Sequence, residues 1–339
     1  MRYLIIFSCT VLLSMVGYSA LIPLIGPTPV SAEYWVPEML IIKRDISKKF
    51  SHNRKFIIAS GSSTLFSIDT RYLSDQLGIP VINFGLMGGL SLDKILSETD
   101  AITNPNDVVI LALEPDYYCR ENNSGYDEWL LRNALAWDQA YWYNMKTHER
   151  LLAIWALGLR FPLELIRTRV DSHFRPDIIS PRLDAQNVES VLSRFASRPN
   201  IPDNLYSVYT MDDLGNIKNT SENNLSGKWV RADQPFNVCT KTLSDLKAFV
   251  AGQRSKMVEV YFIHVPYVDM VDLDFKKIKS LSQEFSEILA PIAPVLDKRE
   301  DVIFEPKFFL NSPLHLNSIG REIRSKNLLH RLRNLLDNK

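Results

Sequence analysis

The chain has 339 residues, enough for two average domains or for one large domain carrying an insertion. With 46% hydrophobic and 23% charged residues it has ample material for a buried core. Lys plus Arg and Asp plus Glu number 39 each, and this neutrality argues against both nucleic acid as a partner and a polybasic grip on anionic lipid. Three cysteines, none in a CxxC pair, argue against a disulfide scaffold and a structural zinc site, and neither metal nor cofactor is expected.

From Tyr3 to Ala32 there is no charged residue. Leu4 to Ile22 is mostly apolar and close to the roughly 20 residues that cross a bilayer. Pro23, Gly26 and Pro27 end it. Arg2 precedes this run and Glu33 and Glu38 follow it, so residues 1–27 are expected to form a transmembrane anchor with the N-terminus in the cytoplasm and the bulk of the chain exported. A signal peptide cleaved after Val30-Ser31-Ala32 is the alternative. Cys9 then sits in the apolar segment, while Cys119 and Cys239 reach an oxidising compartment, where they either pair or stay as two buried thiols.

The exported chain begins with an α/β rhythm. Lys55 to Ala59 reads as a buried strand meeting a turn at Ser60-Gly61, and Ile68 to Leu77 has helical spacing. Pro80 to Phe84 is a second strand, stopped by Gly85, Gly88 and Gly89; Leu90 to Thr103 reads as a helix and Val108 to Leu113 as a third strand. This alternation predicts a parallel sheet, and such sheets bind ligands at the carboxyl ends of their strands. Residues 28–119 are taken as the first part of that domain.

Residues 120–240 lose the rhythm and are taken as a mainly helical insertion or cap. Trp129, Trp137, Tyr141, Trp142, Tyr143 and Trp155 decorate its helices, as core packing, a glycan-binding surface or a membrane-proximal face. Residues 206–218 have the pattern of a hairpin turning at Gly215-Asn216, and Asn219 to Ser226 that of a polar loop. The α/β pattern resumes over residues 241–339. It has a helix at Leu243–Arg254, a strand at Val258–His264, a helix at Phe275–Leu289, a strand at Val302–Phe304 and a final helix from Ser318 to Leu336.

Three features fall at the expected strand ends. Gly61-Ser62-Ser63-Thr64-Leu65 is a glycine turn presenting hydroxyls at a helix start, where backbone N–H groups favour a developing negative charge. Alone, such a turn is a helix cap. Asn83 to Gly88 carries glycine where backbone would approach a substrate oxygen, and His315 stands in Ser312-Pro313-Leu314-His315-Leu316-Asn317 just before the last helix.

With these blocks in this order, the sequence resembles the SGNH (GDSL-type) hydrolase superfamily. Gly61-x-Ser63-x-Leu65 is similar to the family's first block, Asn83 with Gly88 to the second, and His315-Leu316-Asn317 with Gly320 to the last. The resemblance covers about half the chain. It implies a three-layer α/β/α fold with a mostly parallel five-stranded, flavodoxin-like sheet, plus the helical insertion and the N-terminal transmembrane helix. It also implies Ser63 as nucleophile, His315 as general base and Gly88 in the oxyanion hole, with Ser62 the rival nucleophile because Ser60-Gly61-Ser62 fits the same turn.

Two departures stand out. The family's Asp three residues before the histidine is Ser312, and Asn311 precedes it, so no carboxylate is available there; Asn311 is left to orient the ring, as Asn does in papain-like enzymes. Leu113-Glu114-Pro115-Asp116 stands where the family has G-x-N-D. The anchored layout looks most like bacterial proteins of alginate acetylation and teichoic-acid D-alanylation, residents of the inner membrane with their main domain in the periplasm or outside the cell. That resemblance implies an O-acyltransferase or esterase acting on a cell-surface glycan, with a membrane O-acyltransferase partner. The alternative is a catalytically degenerate glycan-binding or scaffold subunit.

Overall fold

The computed structural model describes residues 2–25, 28–119, 128–158, 160–197, 207–218, 220, 225–226, 231–235 and 237–337. The chain packs into two compact units, Met1–Glu38 with Ser124–Val191, and Met39–Asn123 with Leu192–Lys339. Part of the stretch read as an insertion, residues 192–240, therefore belongs to the same unit as the α/β elements.

The first unit opens with helix α1 (Arg2–Ile25) and the start of α2 (Trp35–Lys49). Side chains of α1 are described only as far as residue 17, fewer than the roughly 20 residues a crossing takes. They are exposed, apolar Leu4, Ile6, Phe7, Leu12 and Leu13 among them. Among the described residues no helix is long and apolar enough to cross a membrane, so the expected transmembrane span is not found there. The rest of the unit is built from α6 to α10, which lie between residues 128 and 184, and from the start of α11 (Val188–Ser197). Val30, Leu131, Ala136, Trp142, Ala153, Leu157, Phe161 and Leu165 make one buried cluster, with Trp137 packed against it. Trp142 and Trp137 thus serve as core packing, whereas Tyr143 is exposed.

The second unit holds the sheet. Strands β1 (Phe56–Ser60), β2 (Val81–Gly85), β3 (Val108–Leu111) and β4 (Glu259–Phe262) run parallel in the order β2-β1-β3-β4. Phe56 pairs with Val81 on one side and Val108 on the other, and Val108 pairs with Glu259, so the four strands start level. Strands β1, β2 and β3 are buried at every position and are apolar apart from Ser60, Asn83 and the terminal Gly85, the usual signature of parallel strands covered on both faces. One face (Phe56, Ile58, Val81, Val108, Ile110) meets α4 (Thr70–Leu77) and α14 (Ser318–Asp337) through Leu73, Leu328, Leu329 and Leu332. Helix α5 (Leu92–Ile102) packs on β1, and α12 (Thr240–Ser255) on β4.

The fifth strand expected at Val302–Phe304 is not part of this sheet. Ile303–Phe304 (β6) pairs instead with Tyr267–Val268 (β5) in a separate two-stranded parallel sheet. The place beside β4 is taken by a single bridge, Val295 to Phe262. Phe262 N donates to Pro294 O and Leu296 N to Phe262 O, but a proline cannot donate onward, so the ladder stops there.

Other boundaries shift by a few residues. The helix expected at 68–77 is α4, which starts at Thr70 after its Asp69 cap, and a separate short helix, α3 (Ser62–Ser67), precedes it across the extended Ile68. Helix α13 (Phe275–Leu289) has the bounds read from the sequence. The hairpin read at 206–218 reduces to one bridge, Met211 to Ile217, closed by a turn with Gly215 at φ 86°. A Cβ at Gly215 would lie 2.6 Å from Asn83 O, so the close approach of this loop to β2 needs glycine as well. Tyr206 and most of the 219–226 loop lie outside the described residues. Cys119 and Cys239 form a disulfide, which settles the open alternative, and Cys9 is an exposed free thiol.

Candidate active site

The turn after β1 carries the hydroxyls. Gly61 is the N-cap of α3 and has no side chain to offer; Ser60 Oγ accepts from Thr64 N at 3.0 Å and Glu114 from Ser63 N, so these two first-turn donors are met without the Ser62 or Ser63 hydroxyl. Ser62, partly exposed at the first position of α3, donates its Oγ–H to His315 Nε2 at 2.8 Å. Ser63 points elsewhere: it is 1% exposed, and its backbone N–H donates to Glu114 Oε1 at 2.8 Å. The expected nucleophile Ser63 is therefore replaced by Ser62 as the serine that meets the imidazole.

His315 is 7% exposed and sits in a tight loop closed by the Phe309–Leu316 bridge. Its Nδ1–H donates to Asn311 Oδ1 at 2.9 Å, which leaves Nε2 with a lone pair to accept from Ser62. Ser312, at the family's acid position, is turned away from the ring; its Oγ accepts from Leu314 N and its carbonyl from His315 N. With no carboxylate beside it, burial alone pushes the His315 imidazole down to about 3. The ring also leans on Phe66 of α3, centroids 4.3 Å apart.

Helix α3 grips the histidine loop from a second point. Ser67 Oγ donates to Leu314 O at 3.1 Å and accepts from Leu316 N at 3.1 Å, bracketing His315 on both sides. The remaining residues of that block are structural: Leu316 is buried, and Asn317 Oδ1 accepts from Gly320 N at the start of α14. A Cβ at Gly320 would fall 2.5 Å from Phe308 O, so only glycine lets the helix come this close.

Gly88 lies on the other side of Ser62, where a Cβ would be 3.3 Å from Ser62 Oγ and 3.9 Å from Ser62 N. Its carbonyl accepts from Tyr117 Oη at 2.9 Å. Asn83, below the turn, is fully buried; its amide donates to Thr64 O at 2.9 Å and its Oδ1 accepts from Gly85 N at 3.0 Å, tying α3 to the end of β2. Ser62, His315, Asn311 and Gly88 thus come together from sites up to 253 residues apart, and Ser63 does not join them.

One residue at the site was read from the sequence only as a departure from the family's third block, with no role assigned to it. Glu114, 5% exposed, follows β3, and its two carboxylate oxygens accept from Gly61 N at 3.0 Å and Ser63 N at 2.8 Å. The signal was a carboxylate at the carboxyl end of an apolar strand, just where the family block has its G-x-N-D.

His264, which ends the β4 segment, lies apart from this cluster. Its Nδ1 and backbone N–H both meet Asp297 Oδ1, at 3.1 and 2.8 Å, and Arg324 Nη2 pairs with Asp297 Oδ2 at 2.5 Å. Among the described residues no group of histidine, cysteine and carboxylate side chains has the arrangement of a metal site. No protein-family model, curated protein or solved structure matches the chain.

Proposed function

We propose that this protein is an SGNH-like serine O-acyltransferase or esterase, anchored and exported, that acts on a cell-surface polysaccharide through a seryl ester. The observation that carries the chemistry is the chain of hydrogen bonds from Asn311 through His315 to Ser62. It presents a hydroxyl to a base whose tautomer is fixed, at a distance within hydrogen-bond reach. The partly exposed position of Ser62 beside a glycine turn at the carboxyl ends of parallel strands supports the same reading.

In this reading Ser62 Oγ attacks the acyl carbon of a donor ester as its proton passes to His315 Nε2. The carbonyl oxygen becomes an oxyanion beside the Ser62 N–H and the Gly88 turn. The tetrahedral species collapses, and the leaving alcohol takes the proton back from Nε2. A sugar hydroxyl, or water, then attacks the acyl-Ser62 ester and gives its proton to His315, and Ser62 Oγ leaves as it takes that proton back from Nε2. Asn311 holds the ring but brings no charge to the imidazolium. The tautomer is right but the imidazolium gains no carboxylate to stabilise it, so a slow reaction is expected here.

The surrounding features support the setting of the proposal. The uncharged stretch from Tyr3 to Ala32 and the exposed apolar side chains of α1 support an inner-membrane anchor. The Cys119–Cys239 disulfide supports an oxidising compartment, the periplasm or cell exterior. A membrane O-acyltransferase as acyl source and a flavodoxin-like, three-layer core belong to the same reading, by resemblance. The missing carboxylate and the low proton affinity of His315 favour the second reading, a non-catalytic glycan-binding or scaffold subunit.

Hydrolysis of p-nitrophenyl acetate by the full-length protein in detergent separates the two. The enzyme reading expects slow turnover that Ser62→Ala or His315→Ala each reduce about a thousandfold or to background. Turnover at background in the folded parent, or turnover that both variants retain, supports the scaffold.

A further inference from the structure

Resting on the acyl-transfer reading, we infer that Glu114 is the positioning residue of the oxyanion site, and that Tyr117, on the same turn, completes it. The carboxylate of Glu114 holds the N–H groups of Gly61 and Ser63, at 3.0 and 2.8 Å, on either side of Ser62. The N–H of Ser62 between them has no partner among the described residues. Two flanking donors drawn inward to one carboxylate fix the plane of each peptide, and the middle donor is left for an incoming oxygen.

Tyr117 does the matching work on the opposite edge. It sits in the 3₁₀ turn Pro115–Tyr118, its N–H donates to Glu114 O at 2.9 Å, and its Oη–H donates to the carbonyl of Gly88. One short segment after β3 thereby sets both edges of the place where the oxyanion forms. Gly61 has no room for a side chain for the same reason: a Cβ there would fall 2.7 Å from Glu114 Oε1 and 2.8 Å from Tyr117 Oη. The segment is itself tied down, since Cys239 N donates to Tyr118 O at 2.8 Å and Cys119 is disulfide-bonded to Cys239.

Charge and geometry together require a carboxylate. Glutamine has nearly the same shape, but only one of its two terminal atoms accepts a hydrogen bond. In Glu114→Gln, either Gly61 N–H or Ser63 N–H must face an NH₂ group, and the turn loses the symmetry that aims the Ser62 N–H. Removing one oxyanion donor elsewhere costs about 10²–10³ in kcat, which sets the scale.

The test is the rate at which a fluorophosphonate phosphonylates the full-length protein in detergent. Ser62 Oγ forms the P–O bond, fluoride leaves, and the serine proton passes to His315, so the rate reports the charge-bearing transition state. Glu114→Gln is expected to slow labelling about 10²-fold or more, with the KM for p-nitrophenyl acetate within about threefold and the acid limb of the pH profile unmoved, since that limb belongs to His315. Tyr117→Phe, which deletes one hydroxyl, is expected to slow it about tenfold and serves if Glu114→Gln does not fold. Both folded variants labelling at the parental rate would overturn the role given to this segment while leaving the enzyme reading intact. A folded parent that is not labelled at Ser62 overturns the enzyme reading, and this inference with it.

Discussion

Two histidines stand at the carboxyl ends of the sheet strands or just before the final helix, and they have complementary partners. His315 has a hydroxyl on Nε2 and an amide on Nδ1. His264 has a carboxylate on Nδ1, and its Nε2 is buried without a hydrogen-bond partner among the described residues. The acid that an acyl-transfer triad calls for is thus present in the same unit, but on the histidine that has no serine. A buried His–Asp pair alone does not mark a catalytic base; what marks it is a nucleophile on the other nitrogen. Asp297 is engaged by Arg324 as well, and that arginine also donates to His264 O, so the cluster knits α14 to the β4 segment.

The largest expected effect breaks that architectural half. Asp297→Asn leaves Arg324, 1% exposed, without its charged partner, and stripping one member from a buried ion pair costs about 3–5 kcal/mol. Urea unfolding should show this loss, while the fluorophosphonate labelling rate of the folded variant stays within about threefold of the parent. A thousandfold loss of labelling in stable protein would mean that His264–Asp297 belongs to the catalytic machinery.

A smaller effect sharpens the other half. Asn311→Asp places a carboxylate on Nδ1 of His315 and stabilises the imidazolium that forms in the transition state, so kcat should rise, about tenfold or more. The pH dependence gives the sign. The parent imidazole is pushed down to about 3, so His315 stays neutral and competent well below the usual histidine range, and the acid limb of kcat/KM should lie near that value. A neighbouring negative charge raises it, so Asn311→Asp should move the acid limb upward. The same burial means that native stability is full above the unfolded histidine value of about 6.5 and is lost as pH falls from there toward about 3. An acid limb near 6.5 in the parent would show that the imidazole is not held in this dry pocket.

How far the sequence led can be traced residue by residue. The strands of the inner sheet were legible because parallel strands buried on both faces are runs of apolar residues, as in Val108–Leu111. The edge was not, because Pro294 and Val295 have no strand pattern while Ile303 and Phe304 do, and the latter pair with Tyr267 and Val268 instead. The histidine block was legible because Leu316, Asn317 and Gly320 each answer a local need: burial, a helix start and a close approach. The choice between Ser62 and Ser63 was not local. Adjacent residues at a helix start point in different directions, and only the contact with His315, 253 residues away, distinguishes them. The role of Glu114 was hidden for a similar reason: its partners are backbone N–H groups, which leave no mark on the sequence of the turn they belong to.

The central claim is that Ser62, activated by His315, carries the acyl group. The most direct measurement is to quench the full-length protein in acid during turnover of p-nitrophenyl acetate, digest it, and locate the acetyl group by fragment-ion mass spectrometry. The account predicts acetyl on Ser62, none on Ser63, and none at either position in His315→Ala. Acetyl on Ser63, or acetylation of Ser62 undiminished in His315→Ala, would contradict it.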